Sequence, residues 1–172
     1  MDDSTDPIIQ VRQLTAAYGD QVILQDVSFE VNRGEIFIIL GGSGCGKSTL
    51  LKHMIGLYRP RSGAVLLNGS DIVSAQGEPR RQILRQIGVS YQSSALFGSL
   101  TLLENVCLPL DEFTDLPTEA KDLVARMKLR LVGLQGFEDH LPAELSGGMQ
   151  KRAAIARAIA LDPAILLSLI HI

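Results

Sequence analysis

Residues 41–49, Gly41-Gly42-Ser43-Gly44-Cys45-Gly46-Lys47-Ser48-Thr49, combine glycines, a lysine and adjacent hydroxyls. Their spacing fits G-x-x-x-x-G-K-[ST], a phosphate-binding loop. Glycines let the backbone fold tightly enough for successive N–H groups to converge on an anion. A helix beginning at such a loop adds its positive dipole end. Lys47 is then placed to reach β- and γ-phosphates, and the Ser48 hydroxyl to sit on Mg²⁺. The competing reading is a chance glycine-rich turn, which does not require the strand and helix patterns found on either side.

Those patterns define the elements that must hold the loop. The apolar run Ile36–Leu40 reads as a buried strand, and Lys47–Leu57 as a helix. Upstream, Ile8–Leu14 has strand spacing. Val22–Leu24 and Val27–Val31 read as two short strands parted by Gln25-Asp26, and Asn32-Arg33-Gly34 as a turn. Downstream, Arg59-Pro60-Arg61-Ser62-Gly63 breaks the helix, and Ala64–Leu67 followed by Asn68-Gly69 is a hairpin signal. Pro79 can open a helix reaching Gln86, and Gly88–Tyr91 is a strand ending at Gln92. From about Ser93 the pattern turns helical. Thr101-Leu102-Leu103-Glu104 is a capping box, and Pro117-Thr118-Glu119 opens a helix running to about Val132 and closed by Gly133. The predicted fold is a mixed α/β core with an antiparallel accessory sheet and a helical insertion.

A second motif follows. Leu145-Ser146-Gly147-Gly148-Met149-Gln150 heads the Ala-rich stretch Lys151–Ala160. Ser146 is placed to cap that helix, and a glycine-entered helix start can hold an anion. Alone, this is no more than an N-capped helix; beside a phosphate loop it becomes a second phosphate contact.

The two motifs together resemble the ATP-binding cassette (ABC) ATPases, which are α/β proteins with a P-loop core, an antiparallel accessory sheet and a helical subdomain. Leu145-Ser146-Gly147-Gly148 matches the family signature. Gln92, after a strand and before the helical insertion, matches the Q-loop glutamine. Tyr18, in Ala16-Ala17-Tyr18-Gly19, stands where the family places an aromatic that stacks on adenine. The resemblance implies ATP and Mg²⁺ as cofactors. It implies Gly41, Gly42, Ser43, Gly44, Cys45, Gly46, Lys47, Ser48 and Thr49 around the phosphates, and Ser48 and Gln92 at the metal. Lys47, Gln92 and Ser146 then carry the catalytic roles. It also implies a head-to-tail pair, in which Ser146, Gly147 and Gly148 of one subunit close over the γ-phosphate held by the other, with membrane permease subunits attached. A single chain is therefore expected to be a poor ATPase.

Finer features resemble the ATPase subunits of Mla/Mce-type transporters, which move phospholipids between the inner and outer membranes. These are Tyr91-Gln92-Ser93-Ser94-Ala95-Leu96-Phe97, Glu104-Asn105-Val106, Pro109-Leu110, Met149 and Lys151–Pro163. The implied setting is the cytoplasmic face of a bacterial inner membrane, peripheral, with a Mce-type lipid-binding protein in the complex. The alternatives are the ATPase of another ABC importer, or a nucleotide-binding fragment without turnover. Leu96, Phe97 and Met149 also suit core or docking-face packing.

Bulk composition agrees with a globular chain. Of 172 residues, 46% are hydrophobic and 5% aromatic, and the net charge of -3 offers no basic excess for a nucleic-acid partner. Arg80-Arg81 and the stretch Arg126–Arg130 read as solvated helix faces. Two cysteines make no disulfide framework. Cys45 reads as a small filler of the loop, open to oxidation, and Cys107 as a core residue. The acidic start, residues 1–6, lacks the pattern of a signal peptide, and no apolar run approaches the ~18 residues of a membrane span.

At the other end the resemblance breaks. Ala164–Leu167 reads as the buried strand that should lead into the Walker B acids, an Asp for Mg²⁺ and a Glu for the attacking water. The chain reads Ser168-Leu169-Ile170-His171-Ile172 instead, and the switch histidine is missing as well. The expected organisation is residues 1–92 as nucleotide-binding core and antiparallel β subdomain, 93–145 as helical subdomain, 146–167 as signature helix and the start of the Walker B strand, and 168–172 as a non-native tail. The expected behaviour is an unstable polypeptide with exposed apolar surface that, as written, does not turn over ATP.

Overall fold

The computed structural model describes residues 7–91 and 93–169. The chain divides into two compact units, residues 1–84 and 85–172.

The first unit is built on a four-stranded sheet in the order β2-β1-β3-β4. Its strands are β1 (Ile9–Tyr18), β2 (Gln21–Val31), β3 (Ser62–Leu67) and β4 (Ser70–Asp71), and all neighbours are antiparallel. Val11, Leu14, Ala16, Val65, Leu67 and Ile72 form its buried face. The hairpin expected at Asn68-Gly69 is present, with φ of 48° and 78° at the two turn residues, the backbone that Asn and Gly adopt most readily.

The two strands expected around Gln25-Asp26 are one strand. β2 runs through the break because Asp26 takes φ 50° and its N–H donates to Thr15 Oγ1 at 3.2 Å. The pairing shifts from Leu14↔Val27 to Ala16↔Leu24 across this point, a bulge rather than an end. Helix α1 (Lys47–Met54) follows the phosphate loop and buries Leu50, Leu51 and Met54, ending short of the predicted Leu57. Helix α2 spans Gly77–Arg85.

Ile36–Leu40 departs most from expectation. It forms no strand and is exposed, with Ile36 at 89% and Leu40 at 75%. A strand exists only where a neighbour supplies the other half of its hydrogen bonds, and among the described residues no ladder includes this run. Arg80 is also not a solvated residue, since its guanidinium donates to the carbonyls of Gly56 at 2.5 Å and Ile72 at 3.2 Å.

The second unit joins a two-stranded parallel pair to a helical cluster. Strand β5 (Ile87–Ser90) lies against β6 (Ile165–Ser168), in register from Ile87↔Ile165 to Ser90↔Ser168. The strand expected at 164–167 is therefore present, but buried on one face only: Ile165 and Leu167 are covered while Leu166 is 53% exposed. Ser168 belongs to this strand, and Leu169 N–H donates to Ser90 O at 3.0 Å. Helices α3 (Leu102–Phe113), α4 (Thr118–Leu131) and α5 (Gly147–Ala158) pack Leu102, Val106, Leu110, Ala125, Leu129, Ala153 and Ala156 into one core. Alanines on α5 permit close approach. A Cβ on Gly88 of β5 would overlap the carbonyl of Ala158.

The Arg126–Arg130 stretch is not wholly solvated. Lys128 is 7% exposed and its ammonium pairs with Asp162 at 2.5 Å. Cys107 is buried as expected, and burial, reinforced by the nearby Asp122, pushes its thiol up to about 11. No helix among the described residues is long and apolar enough to cross a membrane.

Candidate functional site

The phosphate loop is held from both ends. Before it, Glu35 closes the Asn32-Arg33-Gly34 turn by accepting the Asn32 N–H at 2.8 Å. After it, α1 starts from Gly46 at φ 99°, a conformation that penalises any side chain. A Cβ on Gly46 would also lie 2.7 Å from Leu24 Cδ2. Glycine here satisfies both the left-handed turn and the close approach to β2.

Residues 41–45 are exposed. Within the loop Cys45 N–H donates to Gly42 O at 3.4 Å, and a Cβ on Gly41 would overlap Cys45 Sγ. Cys45 thus fills the loop as expected, but its thiol is exposed. Lys47 folds back over the loop, where its ammonium donates to Gly41 O at 2.5 Å and Gly42 O at 2.8 Å, with Cys45 Sγ at 3.5 Å. Ser48 and Thr49 follow in the first turn of α1.

The start of α1 has no side-chain cap and no acidic residue in its first turn, while Lys52 and His53 occupy its last turn. A helix start exposes N–H groups that need an acceptor, and Gly46 at the cap position has no side chain to supply one. The donor set fits a polyphosphate: open helix amides, a lysine hydrogen-bonded to exposed loop carbonyls, and the Ser48 hydroxyl for a phosphate-bound Mg²⁺.

Tyr18 lies in the same unit, at the end of β1 beside the Gly19-Asp20 turn. It is 47% exposed. Its ring meets Tyr58 edge to face, with centroids 6.0 Å apart and planes at 89°. Tyr58 in turn lies 6.1 Å from the ring of buried His53 and under Lys52 Nζ at 5.4 Å. Sequence reasoning passed over Tyr58, Lys52 and His53. The only available signal was a tyrosine just past a helix end.

The signature residues belong to the second unit. Ser146 caps α5, its Oγ accepting the Met149 N–H at 3.3 Å, and Gly147 and Gly148 form the exposed first turn. Gln150 anchors the approach by donating to Pro142 O at 2.8 Å. At the other end of α5, Arg157, whose pKa burial pulls below the usual guanidinium value, donates to Ser94 O at 3.1 Å. Ser94 and Ala95 are both left-handed, with φ of 63° and 49°. Gln92, expected at the metal, lies outside the described residues. Phe97 is 58% exposed, whereas Leu96 and Met149 pack against the helical core.

Comparison with known proteins places this arrangement. Over 160 residues the chain is 45% identical to a protein of Mycobacterium leprae (strain TN) named "Probable ribonucleotide transport ATP-binding protein mkl", covering 92% of this chain and 46% of that one. It is 41% identical over 160 residues to the intermembrane phospholipid transport system ATP-binding protein MlaF of Haemophilus influenzae, covering 93% of this chain and 61% of that one. The chain thus spans about half to three-fifths of these relatives' length. The dimeric ATP-binding cassette MJ0796, solved in a post-hydrolysis state with ADP and Pi, superposes with a TM-score of 0.82 at 32% identity, covering 93% of this chain and 72% of that one. Residues 24–168 match the ABC transporter family, and the chain belongs to it.

Proposed function

We propose that this chain binds Mg²⁺-ATP, and that the protein it represents is the ATP-binding subunit of an ABC transporter that couples ATP binding and hydrolysis to phospholipid movement between inner and outer membranes. The observation that carries the first part is the open start of α1. Its amides have no side-chain cap, and Lys47 is held by exposed carbonyls of its own loop, with Cys45 Sγ beside it. Phosphate oxygens can replace those carbonyls at Lys47 while accepting from the helix amides, so that binding gains charge-assisted hydrogen bonds. Ser48 would hold a phosphate-bound Mg²⁺, and the sequence position of Gln92 suits a second ligand. Tyr18 offers a ring face to the base.

Mg²⁺ neutralises charge on the phosphates. Around it the chain's own contribution is positioning and electrostatics. Ser146, Gly147 and Gly148, with the exposed first turn of α5, supply a second set of donors. They act on nucleotide held by another copy in a head-to-tail pair, a reading supported by the dimeric state of the MJ0796 cassette. Hydrolysis is assigned to the whole protein, since this chain spans 46% and 61% of the length of the two relatives it matches. The subdomain boundaries are read as 92/93 and 145/146.

The phospholipid assignment rests on likeness to MlaF, and the alternative on likeness to mkl. Permease subunits, a Mce-type lipid-binding protein and a peripheral place on the cytoplasmic face of the inner membrane belong to the first reading. Isothermal titration of Mg²⁺-ATP into the 172-residue chain tests binding: micromolar affinity that Lys47→Ala weakens about 100-fold is expected, and equal affinity in both proteins would refute it. Reconstitution of the full-length protein with its permease in vesicles tests cargo. ATP-dependent transfer of labelled phospholipid supports the proposal, and transfer of ribonucleotide instead supports the alternative.

A further inference from the structure

We propose that Tyr58 is a positioning residue for the nucleobase, setting the Tyr18 ring from the phosphate-loop helix, with a purine nucleoside triphosphate as the ligand class; this rests on the reading of Tyr18 as the base platform. A lone tyrosine at a hairpin end turns freely about its side-chain bonds, and a stacking surface that must first be ordered loses affinity. Tyr18 is not left free. Tyr58 meets it at 6.0 Å and 89°, the edge-to-face geometry that the aromatic quadrupole favours.

Tyr58 is itself fixed from α1. Gly56 turns the chain at φ 67°, and Leu57 N–H and Tyr58 N–H both donate to Lys52 O, at 2.8 and 3.3 Å. The Lys52 ammonium stands 5.4 Å over the Tyr58 ring, a cation–π contact. On another side the His53 ring lies 6.1 Å away, only 2% exposed, with its Nδ1 2.7 Å from Thr49 O. Thr49 directly follows Ser48, the last position of the phosphate-loop motif. A continuous set of contacts therefore runs from that motif through His53 and Tyr58 to Tyr18. Tyr58 and Tyr18 remain 42% and 47% exposed, so a ring face stays open to a base.

The test is titration of Mg²⁺-ATP and, separately, Mg²⁺-tripolyphosphate into the 172-residue chain, as wild type, Tyr58→Ala, Tyr58→Phe, Tyr18→Ala and the double variant. Tripolyphosphate carries the phosphates without a base. Tyr58→Ala is expected to weaken ATP about 3- to 10-fold while leaving tripolyphosphate unchanged. Tyr58→Phe, which keeps the ring, retains wild-type ATP affinity. The double variant is no weaker than Tyr18→Ala, because Tyr58 acts through Tyr18. Wild-type ATP affinity in Tyr58→Ala overturns the inference while leaving the base platform standing if Tyr18→Ala is weak. Equal loss of ATP and tripolyphosphate in Tyr58→Ala overturns it as a folding effect. No effect of Tyr18→Ala overturns the platform and the inference together, and a wild-type chain that ignores tripolyphosphate refutes the phosphate-loop reading itself.

Discussion

The helix starts at α1 and α3 solve the same problem in opposite ways. At α3 the donors are consumed internally: Thr101 Oγ1 accepts Glu104 N–H at 3.2 Å, and Glu104 Oε2 accepts Thr101 N–H at 2.7 Å. At α1 Gly46 offers no side chain, and nothing acidic stands in the first turn. The start of α5 lies between them, with one serine cap and exposed glycines. A closed start stabilises the fold and has little left to offer a ligand. An open, glycine-entered start costs stability and keeps its amides for an anion. The two cysteines follow the same division, Cys107 buried in the closed helical region and Cys45 exposed in the open loop.

This contrast can be broken in order of expected effect. Lys47→Ala should weaken ATP by about 100-fold in a titration, since it deletes a charged partner of the phosphates; a loss under threefold would mean that the open start does not bind them. Alkylation with iodoacetamide at pH 8 should modify Cys45 at least ~100-fold faster than Cys107, whose raised pKa leaves little thiolate. Mass spectrometry after brief labelling decides this, and labelling at both thiols would mean that the helical core opens.

Gly46→Ala should cost about 1–3 kcal/mol of stability by urea unfolding, through its positive φ and its contact with Leu24. Thr101→Ala should cost about 1 kcal/mol. The same box carries a pH signature. Its hydrogen bonds from Thr101 hold the Glu104 carboxyl below its ordinary 4.5. The folded value lies below the unfolded one, so the stabilisation is complete above about pH 4.5 and is lost as pH falls through the lowered folded value. Glu104→Gln should remove that acid-limb loss from the urea midpoint measured against pH, and an unchanged acid limb would exclude Glu104 as its source. Ser146→Ala should have the smallest effect on the isolated chain, about 0.5–1 kcal/mol; a larger cost would show that the α5 start is structural, as at α3.

What was legible in the sequence depended on how far apart the interacting residues lie. The Thr101–Glu104 box, the Asn68-Gly69 hairpin, the Pro117 helix start and the Ser146 cap each close within a few residues. Their types and spacing suffice. The loop glycines were legible for the same reason. Strand β2 was misread because Gln25-Asp26 looks like a break, while the residue that rescues it, Thr15, lies on the neighbouring strand. Arg80 and Lys128 were misread as solvated because a charged residue is usually exposed, whereas their acceptors, Gly56, Ile72 and Asp162, are remote or on other elements. Ile36–Leu40 was misread because an apolar run states a need for burial without naming what will bury it.

The sequence by itself determined the family and pointed to a phosphate ligand, because a phosphate-binding loop is a local backbone device. Its glycines, lysine and hydroxyl stand within nine consecutive positions, Gly41–Thr49. Only the tertiary structure decided that Tyr58 meets Tyr18, that the α1 start is left without a cap, and that Ile36–Leu40 goes unpaired among the described residues. Those outcomes turn on which distant segments come within van der Waals or hydrogen-bond reach, and that reach is set by packing rather than by any residue's own propensity.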